Sequence, residues 1–245
     1  MKQVFLFLLS FLFVLPTSAQ FWKQEGVKKI LRPNDKSFNL GVRAGFNSSM
    51  YLVSDFKIKD VTIDDIQNYY KIGGYIALFG RFNISRHYLQ PEVSYQISRS
   101  EISFDKLGSQ HPEIEPDYAS IHAEIHSIEF PVLYGFNIIK KGPYELSVFA
   151  GPKAKFLWKK KNKITFENFE QKDMKEELHP MCLSGVLGVG VNLSKIFFDF
   201  RYEQGLTNIS KTVTYENMPG NKDESNNIVF RRRDAILSFS LGVMF

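Results

Sequence analysis

Apolar and polar side chains alternate with a period of two residues in eight stretches of this chain. The clearest is the C-terminal stretch AILSFSLGVMF at 235–245, which has one face that is apolar throughout. Such alternation predicts strands, because successive side chains of a strand point to opposite sides. The predicted strands are 37–47, 72–82, 88–98, 127–137, 143–158, 181–193, 195–207 and 235–245.

The links between these strands alternate strictly between short and long. The short links are 83–87, 138–142 and 192–194, and the long links are 48–71, 99–121, 159–180 and 208–228. Membrane barrels have this arrangement, with short turns on the periplasmic side and long loops outside, whereas a β-sandwich has no reason to sort its loops. The pattern therefore predicts an all-β fold, an eight-stranded antiparallel transmembrane β-barrel with short periplasmic turns and long extracellular loops.

Closure of the barrel explains why the chain ends in a strand with one apolar face. Within lipid every backbone N–H and C=O group must be paired inside the protein, so the last strand is expected to pair with the first. The interior of an eight-stranded barrel is filled by side chains. Ten charged residues, five basic and five acidic, lie on the predicted inward face: Arg43, Arg81, Glu92, Glu129, Glu145, Lys153, Lys155, Asp199, Arg201 and Glu203. Because unpaired buried charges are costly, this balance predicts a salt-bridged plug and not an open pore.

The outward face is predicted to be an apolar band bordered by aromatic residues at the membrane interfaces. The candidate interface aromatics are Tyr88, Tyr95, Tyr134, Tyr144, Trp158 and Tyr202. The terminal Phe245 resembles the C-terminal signal by which outer-membrane barrels are recognised for insertion. Since the number of strands is even, both termini are expected on the periplasmic side of an outer-membrane protein.

The N-terminal region has the organisation of a secretory signal peptide. A basic start, an apolar run of about a dozen residues and small residues before Gln20 predict cleavage after residue 19. Residues 20–36 form a predicted periplasmic segment, either a short amphipathic helix that ends at Pro33 or an unstructured linker, and the barrel domain follows at 37–245. The one cysteine, Cys182, is unable to form an intramolecular disulfide and is interpreted as a packing residue.

Candidate catalytic chemistry is sparse. His122, Glu124 and His126 share one face of an extended chain, which is compatible with a metal site or an acid/base pair. They lack a third strong ligand and a nucleophile motif, so a solvated strand extension is the favoured interpretation. The sequence contains no glycine-rich phosphate loop, no CxxC pair and no G-x-S-x-G motif. No enzyme activity, metal or cofactor is therefore predicted, and a hydrolase at the outer rim is the minor alternative.

Two basic runs, Lys159–Lys161 and Arg231–Arg233, lie at predicted outer strand ends. Contact with membrane lipid and lipopolysaccharide phosphates explains them most simply, because lysine and arginine pair well with phosphate. A docking surface for a partner protein is the alternative. The formal charge of +5 is spread along the chain and does not indicate a nucleic-acid partner.

Several segments resemble the PorT-type outer-membrane β-barrel family. They are SFNLGVRAGFNSS at 37–49, IEFPVLYGFNI followed closely by YELSVFAGPKAKFLW, LGVGVNL with IFFDFRYEQGLTNIS, and the terminal LSFSLGVMF. The most specific part is the centre, at 129–137 and 147–152. The resemblance implies a non-enzymatic component of the type IX secretion system of Gram-negative bacteria, which exports cargo with a C-terminal sorting domain such as gingipain-like proteases. It also implies other secretion components as partners, while a structural or adhesion barrel of the same family is the main alternative.

Overall fold

The computed structural model describes residues 36–58, 61–62, 66–105, 118–158, 161–168, 175–214 and 228–245. The predicted signal peptide and most of the predicted periplasmic segment lie outside these residues. Twelve strands are present in the described part: β1 (Phe38–Ile58), β2 (Val61–Thr62), β3 (Ile66–Ile84), β4 (His87–Asp105), β5 (Tyr118–Lys141), β6 (Tyr144–Leu157), β7 (Lys163–Glu167), β8 (Lys175–Leu178), β9 (Met181–Leu193), β10 (Ile196–Gly205), β11 (Ser210–Thr214) and β12 (Ile228–Met244).

Eight long strands form a closed antiparallel ring in the order β1-β3-β4-β5-β6-β9-β10-β12. β12 pairs with β1 from Gly41 opposite Met244 to Ile58 opposite Ile228, which closes the barrel. The Phe245 N–H then donates to the Leu40 carbonyl at 2.7 Å. The predicted eight-stranded antiparallel barrel is confirmed. Among the described residues there is no helix of the length and hydropathy needed to cross a membrane.

One end of the barrel, here called the turn end, has three two-residue turns. Each turn contains a residue in the left-handed region, namely Ser85 at φ 56°, Gly142 at φ 59° and Ser194 at φ 56°. Tight hairpins of this length favour positive φ because it matches the twist of the flanking strands. Both described chain ends also lie at the turn end, since β1 starts there and β12 finishes there. The opposite end is called the loop end.

The strands run further toward the loop end than the sequence pattern indicates. β1 continues to Ile58 and β5 begins at Tyr118, so strand occupies most of the predicted long link 48–71 and both ends of the predicted link 99–121. The reason is an inversion of the pattern along the barrel. In the middle, outward side chains are apolar and inward ones polar, whereas near the loop end Ile121 and Ile125 point inward and Glu124 points outward. Such an inversion is expected where the sheet leaves lipid and enters water.

The two-stranded sheet of β8 and β11 comes from the two links that flank β9 and β10. Its residues Leu178, Ile209 and Val213 are buried in one apolar cluster with inward side chains of the barrel wall, including Tyr51 and Ile102. We call residues 175–179 and 206–214 the lid, because they fill the loop end of the lumen. The lid was not predicted from the sequence.

A second apolar layer lies near the turn end. Phe79, Phe197 and Met244 form a buried cluster in which the two rings meet edge to face, with centroids 5.3 Å apart. Gly41 and Gly242 leave the room that these rings occupy, since a Cβ on either would collide with the end of a ring. The polar part of the lumen is therefore enclosed between an apolar layer at the turn end and the lid at the loop end.

Candidate functional site

The polar lumen contains two adjacent groups of paired charges. The first group has Glu92 at its centre, where Arg43 Nη2 lies 2.6 Å from Oε2. Arg201 holds the same carboxylate with two bonds, from Nη1 to Oε2 and from Nη2 to Oε1, both at 3.0 Å. Arg201 also pairs with Asp199 at 2.8 Å, and Ser240 donates to that carboxylate. Four strands, β1, β4, β10 and β12, thus supply one network.

Arg81 belongs to the first group without a direct carboxylate partner among the described residues. Its Nε donates to the Gln90 amide oxygen, and the Gln90 amide nitrogen donates to Glu92. Its guanidinium lies 4.3 Å from the centre of the Tyr88 ring, an arrangement that stabilises a buried cation. The amide and the ring together compensate for the water that Arg81 loses.

The position of Tyr88 corrects the sequence prediction, which made it an interface aromatic. Tyr88 is only 2% exposed and donates a hydrogen bond to Ser147 inside the barrel. It is in phase with the inward residues Gln90 and Glu92, so the alternation itself indicated this side. Gly135 on the neighbouring strand provides the space for its ring.

The second group consists of two lysines and three carboxylates. Lys153 pairs with Glu129 at 2.6 Å and also with Glu203. Lys155 pairs with Asp234, and its Nζ lies 3.4 Å from Glu203 and 3.6 Å from Glu129. Asp234 is the member that the sequence analysis missed, since the last predicted strand began one residue later.

The two groups compensate each other electrostatically. The first has three arginines for two carboxylates, and the second has two lysines for three carboxylates, so their net charges are opposite and equal. A cavity of about 20 Å³ separates them, lined by Arg43 and Arg201 on one side and Lys153, Glu129 and Glu203 on the other. That volume holds about one water molecule. The lumen is therefore filled by paired charge.

Nine of the ten predicted lumen charges are buried in these two groups. Glu145 is the tenth, and it lies apart from them near the turn end. It accepts a hydrogen bond from Asn192 at 2.8 Å, and Lys140 lies 3.9 Å from its other oxygen.

A separate buried ion pair joins the lid to the barrel wall. Arg232 of β12 donates to Glu176 of β8 from Nε at 3.1 Å and from Nη2 at 2.7 Å. Both side chains have no exposed surface, and the guanidinium lies 4.0 Å from the centre of the Tyr51 ring. The sequence analysis placed Arg232 in an exposed basic run, which is wrong for this residue, while Arg231 and Arg233 are exposed. Continuing the period of two from Asp234 would have placed Arg232 inside.

The other predicted interface aromatics lie on the outward face. Tyr134, Tyr144, Trp158 and Tyr202 are exposed, and Tyr95 is half-buried. Tyr134 Oη lies 2.6 Å from His87 Nδ1 at the turn end. Trp158 contacts Tyr95 edge to face toward the loop end, and Lys161 Nζ lies 4.8 Å from the Trp158 ring. Phe245 is exposed at the turn end, and its role as an insertion signal stays a prediction.

His122 and His126 share the outward face but contact different carboxylates. His122 lies 3.3 Å from both Glu101 and Glu167, whereas His126 lies 3.1 Å from Glu124 and 2.7 Å from the Tyr95 hydroxyl. Within the described ranges there is no group of three or more residues that could hold a metal ion. The two imidazoles therefore do not share a carboxylate among the described residues. His111, Lys159 and Lys160 lie outside the described residues.

Arg99 and His126 both contact Glu124 on this outward surface. A hydrogen bond from Arg99 at 2.7 Å and a second one from His126 hold the pKa of the Glu124 carboxyl below its ordinary value. Because the pKa of Glu124 is lower in the folded protein, its hydrogen bonds to Arg99 and His126 stabilise the fold at neutral pH. Their contribution is lost as the pH falls through the folded pKa of Glu124.

Comparison with known proteins gives the family. The model of the outer membrane protein β-barrel domain matches residues 19–211. Among solved structures, OprG from Pseudomonas aeruginosa is 12% identical, with 86% of this chain and 97% of that chain covered and a TM-score of 0.48. The neisserial surface protein NspA is 13% identical, with coverage of 84% and 97% and a TM-score of 0.40. The protease OmpT from Escherichia coli is 9% identical, with coverage of 86% and 99% and a TM-score of 0.41. No curated protein sequence matches significantly.

The family match covers most of the chain, which therefore belongs to the outer membrane protein β-barrel domain family and is an outer-membrane protein.

Proposed function

We propose that this barrel is a non-enzymatic component of the type IX secretion system, required for export of cargo with a C-terminal sorting domain, such as gingipain-like proteases. The sequence resemblance to the PorT-type family supports the system. The filled lumen supports the role within it, because the two charge groups leave a cavity of about 20 Å³. The barrel then acts as a scaffold or accessory subunit for larger partners and not as the conduit.

The cost of separating buried ion pairs favours a lumen that stays filled during function. Opening a path would separate buried ion pairs such as Lys153–Glu129 and Arg201–Glu92. Removing the partner of one buried charge costs about 3–5 kcal/mol. A passage wide enough for a folded protein would break many such pairs at once. Cargo is therefore expected to pass through another component.

The orientation proposed for this role places the turn end in the periplasm and the loop end outside. Both chain ends are then periplasmic, where residues 20–36 can contact periplasmic partners. The lid and the exposed Arg231 and Arg233 then face the outer surface, beside lipopolysaccharide and outer partners. Short turns inside and longer loops outside are the usual arrangement of such barrels.

The decisive experiment is a clean deletion in the native host, followed by fractionation of one cargo protein with a C-terminal sorting domain. Accumulation of unprocessed cargo in the periplasm, reversed by complementation, is the expected result. Normal surface delivery of the cargo would overturn the secretion role. It would favour the alternative of a structural or adhesion barrel without a part in secretion.

A rim-located hydrolase is the remaining alternative, and the contacts of His122 and His126 do not favour it. The site expected from the sequence needs both imidazoles at one acid, whereas His122 contacts Glu101 and His126 contacts Glu124. Complementation of the deletion with a His122→Gln, His126→Gln double variant separates the two ideas. Full restoration of cargo export is expected for an accessory subunit.

A further inference from the structure

The turn end of the barrel carries exposed positive charge that the protein does not neutralise. Arg86 and Lys195 lie in the two-residue turns 85–86 and 194–195, and Lys141 is the last residue of β5. All three side chains are exposed, and none has an ion-pair partner among the described residues. We call Arg86, Lys141 and Lys195 the basic collar.

Carboxylates of the chain do not offset the basic collar. Among the described residues Glu145 is the one carboxylate near the turns, and Lys140 and Asn192 already contact it. Every link that lies partly outside the described residues joins strands at the loop end. The segment 20–35, which precedes β1, has four basic residues and two acidic ones, so it adds no excess of negative charge. A carboxylate on Phe245 would offset one collar charge and leave two.

The collar residues are carried by ordered backbone. The Asn137 N–H donates to the Arg86 carbonyl and the Met244 N–H donates to the Lys195 carbonyl, both at 2.7 Å. The third collar residue is held by the pairing of β5 with β6. The collar charges are therefore distributed around the rim of the barrel at fixed positions, and they do not converge on one pocket.

Exposed apolar side chains reach the turns and so define the depth of the collar in the membrane. Ile84 and Ile196 adjoin the two turns and are 72% and 41% exposed, while Tyr144, opposite the third collar residue, is 54% exposed. Such side chains of a membrane barrel lie against hydrocarbon. One or two residues further is about 3–7 Å, which falls within a headgroup layer about 5–7 Å thick. The collar charges therefore lie at the depth of the lipid phosphates.

The loop end differs in how its cations are compensated. Two of the cations that border the apolar band there have carboxylate partners at 2.7 Å, namely Arg99 with Glu124 and Lys71 with Glu101. At the turn end the charge is left for an external anion, and lysine and arginine pair well with phosphate.

We propose that the basic collar binds the headgroups of anionic phospholipids in the leaflet that surrounds the turn end. The depth of the collar favours a lipid over an acidic protein, because the charges border the apolar band. A protein partner would approach them only from the aqueous side.

The test uses the full-length barrel in maltoside micelles, which contain no phosphate. The probe is dihexanoylphosphatidylglycerol, with dihexanoylphosphatidylcholine for comparison, and NMR of backbone amides gives the response of each site. The Ser85 and Ser194 amides should shift saturably at lower concentrations of the anionic lipid. Arg86→Gln should raise the half-saturating concentration at Ser85 about fivefold, the effect of one cation at an anionic lipid surface, and leave Ser194 unchanged. Lys195→Gln should do the reverse.

The matched control is Lys163→Gln, because Lys163 is an exposed cation of β7 at the loop end. Its removal changes the net charge by the same amount, and a wild-type response at Ser85 is expected. Equal loss in Lys163→Gln and Arg86→Gln would overturn the proposal, since it would mean attraction by net charge. Heat-modifiable migration on gels verifies that each variant is folded.

Soluble glycerol phosphate separates a lipid site from a site for any phosphate. It should shift the collar amides only at much higher concentration, because it lacks the acyl chains that place the headgroup at the rim. Equal affinity for glycerol phosphate, or equal affinity for the two lipids, would overturn the proposal. Absence of a saturable shift would also overturn it and would favour an acidic protein as the occupant. The proposal does not rest on the secretion role, so its failure would leave that role untouched.

Discussion

The ion pair between Glu176 and Arg232 should determine how firmly the lid is closed. Both side chains are fully buried, and the Ile209 N–H next to them donates to the Arg232 carbonyl at 3.0 Å. In Glu176→Gln the arginine stays charged and loses its partner. The closed lid is then destabilised by about 3–5 kcal/mol, because an unpaired buried charge remains. Lid opening exposes Arg232 to water, so this cost falls on the closed state.

Hydrogen exchange of the Ile209 and His179 amides measures this opening. The His179 N–H donates to the Ile209 carbonyl at 2.9 Å, so both amides report on the lid. A loss of about 3–5 kcal/mol corresponds to exchange about a hundredfold to a few thousandfold faster. Amides of the barrel middle should keep their protection, since the charge groups there are unchanged.

Glu177→Gln is the matched control, because the neighbouring residue forms an exposed pair with Lys211. An exposed pair contributes at most about 1 kcal/mol, so exchange should change less than about fivefold. Replacing Glu176 with Leu and Arg232 with Met together should restore exchange to within about tenfold of wild type, since it removes both charges. Equal exchange in Glu176→Gln and Glu177→Gln would refute the argument that the buried pair holds the lid.

Three further predictions follow from the lumen, the sheet and the outward surface. The purified barrel in a planar bilayer should show no large steady conductance, because the cavity between the charge groups is about 20 Å³; such a conductance would contradict a filled lumen. Gly151→Ala should lower the free energy of unfolding in urea by about 1–3 kcal/mol, because its Cβ would collide with the Val132 carbonyl. A Cβ at Gly185 would meet no atom within 4 Å, so Gly185→Ala should change the free energy of unfolding by less than about 0.5 kcal/mol. Arg99→Gln should raise the pKa of Glu124, because the main hydrogen bond to that carboxyl is lost. NMR of the carboxyl carbon measures the titration, and an unchanged pKa would contradict this assignment.

Much of the barrel was predictable because the period of two is a local property. Each residue of a strand fixes the side of its neighbour, so Glu92, Lys153 and Arg201 were placed inside without knowledge of their partners. The same rule, applied consistently, also places Tyr88 and Arg232 inside. The eight alternating stretches predicted the number of strands, and the alternation of short and long links predicted the antiparallel membrane barrel. Closure of β12 on β1 followed from the need to pair every backbone group within lipid.

The tertiary structure alone decided which charges meet and what fills the loop end. Arg201 and Glu92 are 109 residues apart, and no local pattern encodes their pairing. The lid is formed by two short strands from separate links, and its polar-apolar pattern is too short to predict pairing. Beyond the apolar band the faces invert, so alternation no longer identified the outer halves of β1 and β5 as strand. The sequence by itself determined the side on which residues in the middle of the barrel lie, because alternation is local. The ion-pair partners and the lid depend on strand register and loop folding, which bring distant residues together.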